Sequence, residues 1–199
     1  MAKRQLTSAE LDQLSQAALN NALELLADAR LLFDAKRWPR AYALAALAGE
    51  EVGKYEICRE AASSPPCGES AWKAFWHDWK QHRPKIATMT GPLVDSLAAC
   101  YPAYTTEGRE RWEQVRVTLT DRDSDLAKAV NNSKMAAFYV DFDDDAVLVP
   151  AEIVHRNTAE NMINTVSRAI AHLPHGGSPA APRSSTATVP ASSANRPTP

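Results

Sequence analysis

The sequence predicts an all-α protein, an antiparallel bundle of about five helices with a small β-hairpin before the last helix. Apolar residues recur every three or four positions over long stretches, which is typical of helices that bury one face. The links between these stretches are short, as they are between antiparallel neighbours in a bundle. Residues 138–149 differ, because two runs of β-branched and aromatic residues flank an acidic turn, which favours a hairpin.

Local signals place the first two helices. Thr7 and Glu10 have the spacing of a capping box, so we expect the first helix to run from about Ser8 to Lys36. Its inward face is the set Leu11, Leu14, Ala18, Ala22, Leu25, Ala29 and Leu32. The second helix is expected from Pro39, a residue suited to a first turn, to about Ala61, where a Ser- and Pro-rich break follows.

The third helix is expected from about Ser70 to Cys100. Pro84 removes a backbone donor in its middle, which predicts a kink or a restart beside His82. Its apolar face is formed by Trp72, Phe75, Trp79, His82, Ile86, Met89 and Leu93.

The remaining chain completes the bundle. A fourth helix is expected from about Glu107 to Lys134 and a last one from Pro150 to Leu173. Their inward residues are Trp112, Val115, Leu119, Leu126 and Ala129 in the fourth and Val154, Met162, Val166, Ala169 and Leu173 in the last. Residues 1–173 would then form one domain, and 174–199, rich in Pro, Ser and Ala without periodicity, a disordered tail.

Composition narrows the class of protein. The content of 45% hydrophobic residues is typical of an ordinary globular protein. The net charge of −2 means that no overall positive field would attract nucleic acid. Its 3 cysteines have no metal-ligand spacing, and no apolar run is long enough to span a bilayer. The start does not resemble a signal peptide, so we expect a reduced, cytoplasmic protein without membrane or DNA contacts.

The second helix carries charges where apolar residues should continue. Glu50, Glu51 and Lys54 interrupt faces that are otherwise apolar. A charge inside a bundle is costly unless it is paired, and retained pairs often belong to functional sites. A purely structural pair between Glu50 and Lys54, four residues apart, explains the pattern equally well.

A second charged line lies on the third helix. Asp78, His82 and Lys85 share one side, so Asp78 could orient the imidazole. If this line faces the acids of the second helix, acid, base and cation would suit phosphodiester chemistry without a metal. The alternative is a core histidine satisfied by Asp78.

Two further patterns have simpler interpretations. A stripe of tryptophans beside basic residues could bind single-stranded RNA, but such a stripe is more often core; it consists of Trp72, Trp76 and Trp79 with Lys80, Arg83 and Lys85. Asp141, Asp143, Asp145 and Glu152 have EF-hand spacing, but Ala146 replaces the required glycine, so a hairpin with a solvated tip is favoured.

Three segments together resemble one family. They are AYALAALAGEEVGK at 41–54, FWHDWKQHRPK at 75–85 and SKMAAFYVDF at 133–142. Their order and content are similar to AbiV-type abortive infection proteins, a branch of the HEPN superfamily, over about residues 20–173.

This resemblance implies a HEPN-like bundle and a phage-defence protein acting on RNA or the translation machinery. It further implies a homodimer, a phage-encoded activator as partner, and a ribonuclease that needs no metal or cofactor. The implied catalytic residues are Glu50, Glu51, Lys54, His82 and Lys85, with Lys134 and Tyr139 nearby. We expect these last two residues, together with Arg83 of the basic stripe, to bind substrate. The Arg–His pair of the wider superfamily has only one formal match, Arg168 with His175, which ranks second. Whether the protein cleaves RNA, or is a non-catalytic helical module that blocks translation or binds a partner, stays open.

Overall fold

The computed structural model describes residues 4–89, 125–143 and 146–173. Within these ranges the chain is helical apart from its connections and one short hairpin, as the sequence predicts. No helix in the same ranges is both long and apolar enough to cross a membrane.

A helical hairpin of α1 (Ser8–Asp34) and α2 (Trp38–Ser63) forms the centre of the fold. The capping box at the start of α1 is present, since Thr7 and Glu10 bond reciprocally. At its other end the amides of Lys36 and Arg37 donate to the carbonyls of Phe33 and Leu32, the pattern of a Schellman motif. The turn ends α1 two residues before the predicted Lys36.

The second helix is buried on nearly all sides. It packs against α1 and against every later described helix around it, so its small residues allow close approach from several directions. The core therefore has an alanine-rich centre, which includes Ala41, Ala43, Ala45, Ala46, Ala48 and Val52.

The expected third helix is two helices. α3 (Gly68–Lys80) ends at Gln81, and α4 starts again at His82 and is described over 82–89. Pro84 therefore lies in the first turn of α4, where a missing amide costs no hydrogen bond. The predicted restart beside His82 is confirmed, but a single helix from Ser70 is wrong.

The tryptophan stripe on α3 belongs mainly to a second core. Trp72 and Phe75 are buried against Leu11 of α1 and Cys58 of α2, with Trp76 and Trp79 packed partly buried at the edge. Residues 90–124, which hold the predicted end of this helix and most of the predicted fourth helix, lie outside the described ranges.

The helix α5 (Asp125–Phe138) runs one turn beyond the predicted end at Lys134. The predicted inward face was wrong for its described part, because Leu126 and Ala129 are exposed. The buried residues are Ala127, Lys134 and Ala137. Lys134 lies inward because it pairs with a residue of α2. The spacing of apolar residues could not indicate such a pairing.

The hairpin is confirmed. Strands β1 (Asp141–Asp143) and β2 (Ala146–Leu148) are antiparallel, with Phe142 opposite Val147. The last predicted helix is broken into α6 (Pro150–Ile153) and α7 (Arg156–Ala171). Its predicted inward residues are all buried, namely Val154, Met162, Val166, Ala169 and Leu173. The tail at 174–199 lies outside the described ranges.

Candidate active site

Glu50 is the centre of a charged cluster inside the bundle. It is only 3% exposed, and its carboxylate accepts hydrogen bonds from two other helices. Oε1 accepts from Nζ of Lys134 on α5, and Oε2 lies 2.7 Å from Nδ1 of His82 on α4. Nζ of Lys85, also on α4, is 3.2 Å from the same Oε2. Three side chains that are distant in sequence thus meet on one carboxylate.

Two glycines of α2 explain how α4 comes this close. A Cβ on Gly53 would lie 2.0 Å from the backbone oxygen of Lys85, and one on Gly49 would lie 2.5 Å from Sδ of Met89. Gly49 and Gly53 are one turn apart, as are Lys85 and Met89, so the two helices cross at these residues. This crossing places Lys85 and His82 beside Glu50.

The imidazole of His82 lies at the surface of the cluster. Its side chain is 54% exposed, whereas that of Glu50 is 4% exposed. Because the Glu50 carboxylate 2.7 Å away can only accept, Nδ1 is assigned as carrying hydrogen and donating to Glu50, although the Lys134 amine is also 3.2 Å from Nδ1. Nε2 then has a free lone pair, and it makes no hydrogen bond to the described residues. A carboxylate that holds one imidazole nitrogen while the other faces solvent is the arrangement of a general base.

The cluster keeps its carboxylate ionised. Burial by itself would raise the pKa of Glu50, but hydrogen bonds from Lys134 and His82 and the charge of Lys85 outweigh it and lower the pKa. Burial lowers the pKa of Lys85, and the attraction of Glu50 only partly offsets this. Two lysines face one carboxylate, so the cluster has an excess of positive charge.

The other predicted catalytic residues form a neighbouring pair. Nζ of Lys54 is 2.6 Å from Oε1 of Glu51 and 5.4 Å from the centre of the Trp79 ring. The predicted structural pair of Glu50 with Lys54 is therefore wrong. The pair lies close enough that both of its charges act on the pKa of Lys85.

Asp78 does not orient His82. The break at Gln81 removes the helical spacing that would have aligned them, and the imidazole is held by Glu50 of another helix instead. Asp78 lies 3.4 Å from Nδ1 of His77, its neighbour in sequence.

The predicted substrate-binding residues do not lie together in the structure. Lys134 lies inside the cluster rather than around it, whereas Tyr139 is 60% exposed beyond the end of α5. Arg83 is exposed next to His82. Arg168 lies exposed near the end of α7, and its predicted partner His175 is outside the described ranges.

Sequence reasoning missed Tyr42. This residue is 4% exposed on α2, two turns before Glu50, and its hydroxyl is hydrogen bonded with Ser133, the neighbour of Lys134. Burial raises the pKa of Tyr42, and that hydrogen bond opposes the rise. The available signal was a tyrosine inside the otherwise alanine- and leucine-rich stretch at 41–48. The contact ties α2 to α5 beside the cluster.

The described residues contain no group of three His, Cys, Asp or Glu side chains that could hold a metal ion. The segment with EF-hand spacing folds as a hairpin preceded by two non-helical residues, so the helix–loop–helix geometry of that motif is not present there.

One comparison with known proteins gives a match. The family model HEPN_AbiV, described as AbiV, matches residues 10–171. No curated protein and no solved structure is significantly similar to the chain. Since the family match covers most of the chain, from the first turn of α1 to the end of α7, the protein belongs to the AbiV family of HEPN-type abortive infection proteins.

Proposed function

We propose that this protein is a cytoplasmic antiphage effector that stops infection by cutting RNA as a metal-independent ribonuclease. The observation that carries the proposal is the contact between Glu50 and His82, in which a buried carboxylate holds a half-exposed imidazole. Membership of the AbiV family supports the defence role. The proposed cleavage of RNA is supported by the geometry of the contact between Glu50 and His82.

The reaction would use the 2′-hydroxyl of RNA. Nε2 of His82 takes the hydroxyl proton, the 2′-oxygen bonds to phosphorus, and the bond from phosphorus to the 5′-oxygen breaks. The 5′-oxygen takes up a proton from water, and the imidazolium later returns its proton to solvent, so the products are a 2′,3′-cyclic phosphate and a 5′-hydroxyl. Glu50 stabilises the imidazolium that forms in the first step.

The lysines have a more indirect role than the sequence suggested. Lys85 and Lys134 are nearly fully buried and bond to Glu50, so they act on the substrate through their charge rather than by contact. Their excess of positive charge favours the phosphate and the negative charge that develops on it. The Glu51–Lys54 pair lies next to Lys85 but has no net charge, so it adds little to this field.

Incubation of the purified protein with total RNA, with a chelator and a phage lysate as source of the activator, tests the reaction. We expect cleavage that survives the chelator and is lost in His82→Ala, with folding checked by circular dichroism. His155→Ala is the matched control, because this histidine is exposed at the start of α7, away from Glu50. Equal cleavage by both variants would exclude His82 from the reaction.

A second candidate function is a non-catalytic module that blocks translation or binds a protein partner. The end of α5 and the hairpin favour it, because they expose several large apolar side chains. We call this the apolar surface; it consists of Met135, Tyr139, Val140, Phe142 and Val147. In the same test, intact RNA with a stable ribosome or protein complex would favour this candidate.

We also propose that the protein is a homodimer through the apolar surface. A second copy would cover side chains of which Tyr139, Val140 and Phe142 are each at least 60% exposed. It would also cover the edges of a two-stranded sheet, whose backbone groups are otherwise free to pair.

A further inference from the structure

A pocket of about 290 Å³ lies at the other end of α2 from the tryptophans. It is formed by the α1–α2 connection, the end of α5 and the start of α6. Its lining contains three cations, Lys36, Arg37 and Arg40, and no acidic residue. We call it the basic pocket.

The fold does not explain why these three cations lie together, since they stabilise no other part of it that the structure describes. None of them forms an ion pair with an acidic side chain in the described ranges, although the chain as a whole has a net charge of −2. Arg37 is the N-cap of α2 and makes no side-chain capping bond. Concentrating positive charge in this way costs repulsion, which a bound anion would relieve.

Lysine is not the residue expected at position 36 of this turn. Its φ is 60°, the left-handed conformation in which the Schellman motif normally has glycine. The backbone therefore gains nothing from a lysine here. A cation at this position is consistent with a ligand that needs it.

The lining also suits a nucleotide. Phe138, Pro39 and Pro150 give the pocket an apolar wall beside its cations. An aromatic ring next to arginines can stack a base while the arginines bind its phosphate. The volume of about 290 Å³ is just below the lower end of the range for small-molecule sites, about 300 Å³.

The basic pocket and the Glu50 cluster lie along the same pair of helices. Phe138 in the pocket is one turn after Lys134 in the cluster, on the same side of α5. Along α2, Arg40 and Glu50 are separated by ten residues, or about 15 Å. An RNA strand of several nucleotides is long enough to span that distance.

We propose that the basic pocket binds a backbone phosphate of the RNA whose cleavage site lies at His82. The proposal rests on the proposed function in that it takes the ligand to be the same RNA. Arg37 and Arg40 bind the phosphate, and Lys36 adds charge at the rim. The pocket holds the strand several nucleotides from the reacting bond.

The test measures binding of a fluorescent 2′-O-methyl oligoribonucleotide of about eight nucleotides to the full chain by anisotropy. This RNA lacks the attacking hydroxyl, so binding is measured without cleavage. We expect Arg37→Gln/Arg40→Gln to lower the affinity about tenfold at about 0.15 M salt. The slope of log affinity against log salt should become shallower by about 0.7, the value for one lost phosphate contact on a single strand.

The matched control is Lys73→Gln/Lys128→Gln, which removes the same charge from two exposed lysines on α3 and α5. Equal affinity and slope in the two double variants would overturn the proposal. Lys36→Gly separates binding from folding, since it should weaken RNA binding without lowering the melting temperature. Unchanged binding in Lys36→Gly would remove this lysine from the pocket's function.

Competition distinguishes the source of the phosphate. If a mononucleotide or inorganic phosphate binds through the arginines while the oligonucleotide is unaffected by their loss, the RNA assignment is wrong. The binding measurement also does not depend on whether the protein cleaves RNA. If RNA binding depends on the arginines but the protein never cuts the RNA, the proposed nuclease is rejected and the RNA-binding pocket is retained. If the protein cuts RNA but binding does not depend on the arginines, the pocket is rejected and the nuclease is retained.

Discussion

At the scale of single residues, Glu50 determines whether the cluster is stable. Glu50→Gln would leave Lys134 and Lys85 buried without an anion, so we expect a loss of about 3 to 5 kcal/mol in the free energy of unfolding, measured with urea. Glu60→Gln, on the exposed side of the same helix, should change it by less than about 0.5 kcal/mol. A small loss at Glu50 would mean that the carboxylate is not held as the structure shows.

The stability that Glu50 provides should also depend on pH. Because folding lowers its pKa below the ordinary value of 4.5, its contribution is fully present above that pH and is lost as the pH falls through the folded-state pKa. The difference in stability between wild type and Glu50→Gln should therefore shrink on acidification below about pH 4.5. A difference that stays constant down to the acid transition would contradict the lowered pKa.

Lys36 gives a second prediction at this scale. Lys36→Gly should raise the free energy of unfolding by about 1 kcal/mol, because glycine adopts a positive φ without strain. Lys36→Ala is the control, since it removes the same charge but keeps the Cβ. If alanine stabilises as much as glycine, charge repulsion rather than backbone strain is the cause.

At the scale of elements, the crossing of α2 and α4 builds the candidate site. Gly53→Ala would place a methyl group against the backbone of Lys85, so α4 must move and we expect a loss of about 1 to 3 kcal/mol despite the better helix propensity of alanine. Gly49→Ala meets mainly the flexible end of Met89 and should cost less. Urea unfolding of both variants, beside RNA cleavage, tests this order, and equal costs would argue against the close crossing.

The elements were predicted to different degrees. Signals local in sequence, such as the Thr7–Glu10 capping box, the hairpin around residues 141–148 and the restart near Pro84, placed their elements correctly. The break between α6 and α7 and the inward face of α5 were not predicted. The inward face of α5 depends on what packs against the helix, and the apolar period records this only where the contact is apolar.

At the scale of the whole molecule, the apolar surface should control assembly. Phe142 and Val147 are opposite each other on the hairpin and both exposed, so Phe142→Ser/Val147→Ser should convert a dimer to a monomer in light scattering. Leu23→Ser/Leu31→Ser is the matched control, because both leucines are exposed on α1. A dimer that survives the hairpin variant would place the interface elsewhere.

The sequence by itself determined the helical class, the hairpin, the AbiV resemblance and the set of residues from which the candidate site is built. It did so because helix period, capping and turn chemistry depend on neighbours within a few positions. Only the tertiary structure decided the pairings. Glu50 binds Lys134, 84 positions away, and His82, 32 positions away, instead of Lys54 on its own helix. A buried carboxylate pairs with whichever cations the helix crossing brings within reach, and that crossing depends on Gly49 and Gly53 meeting α4 in space.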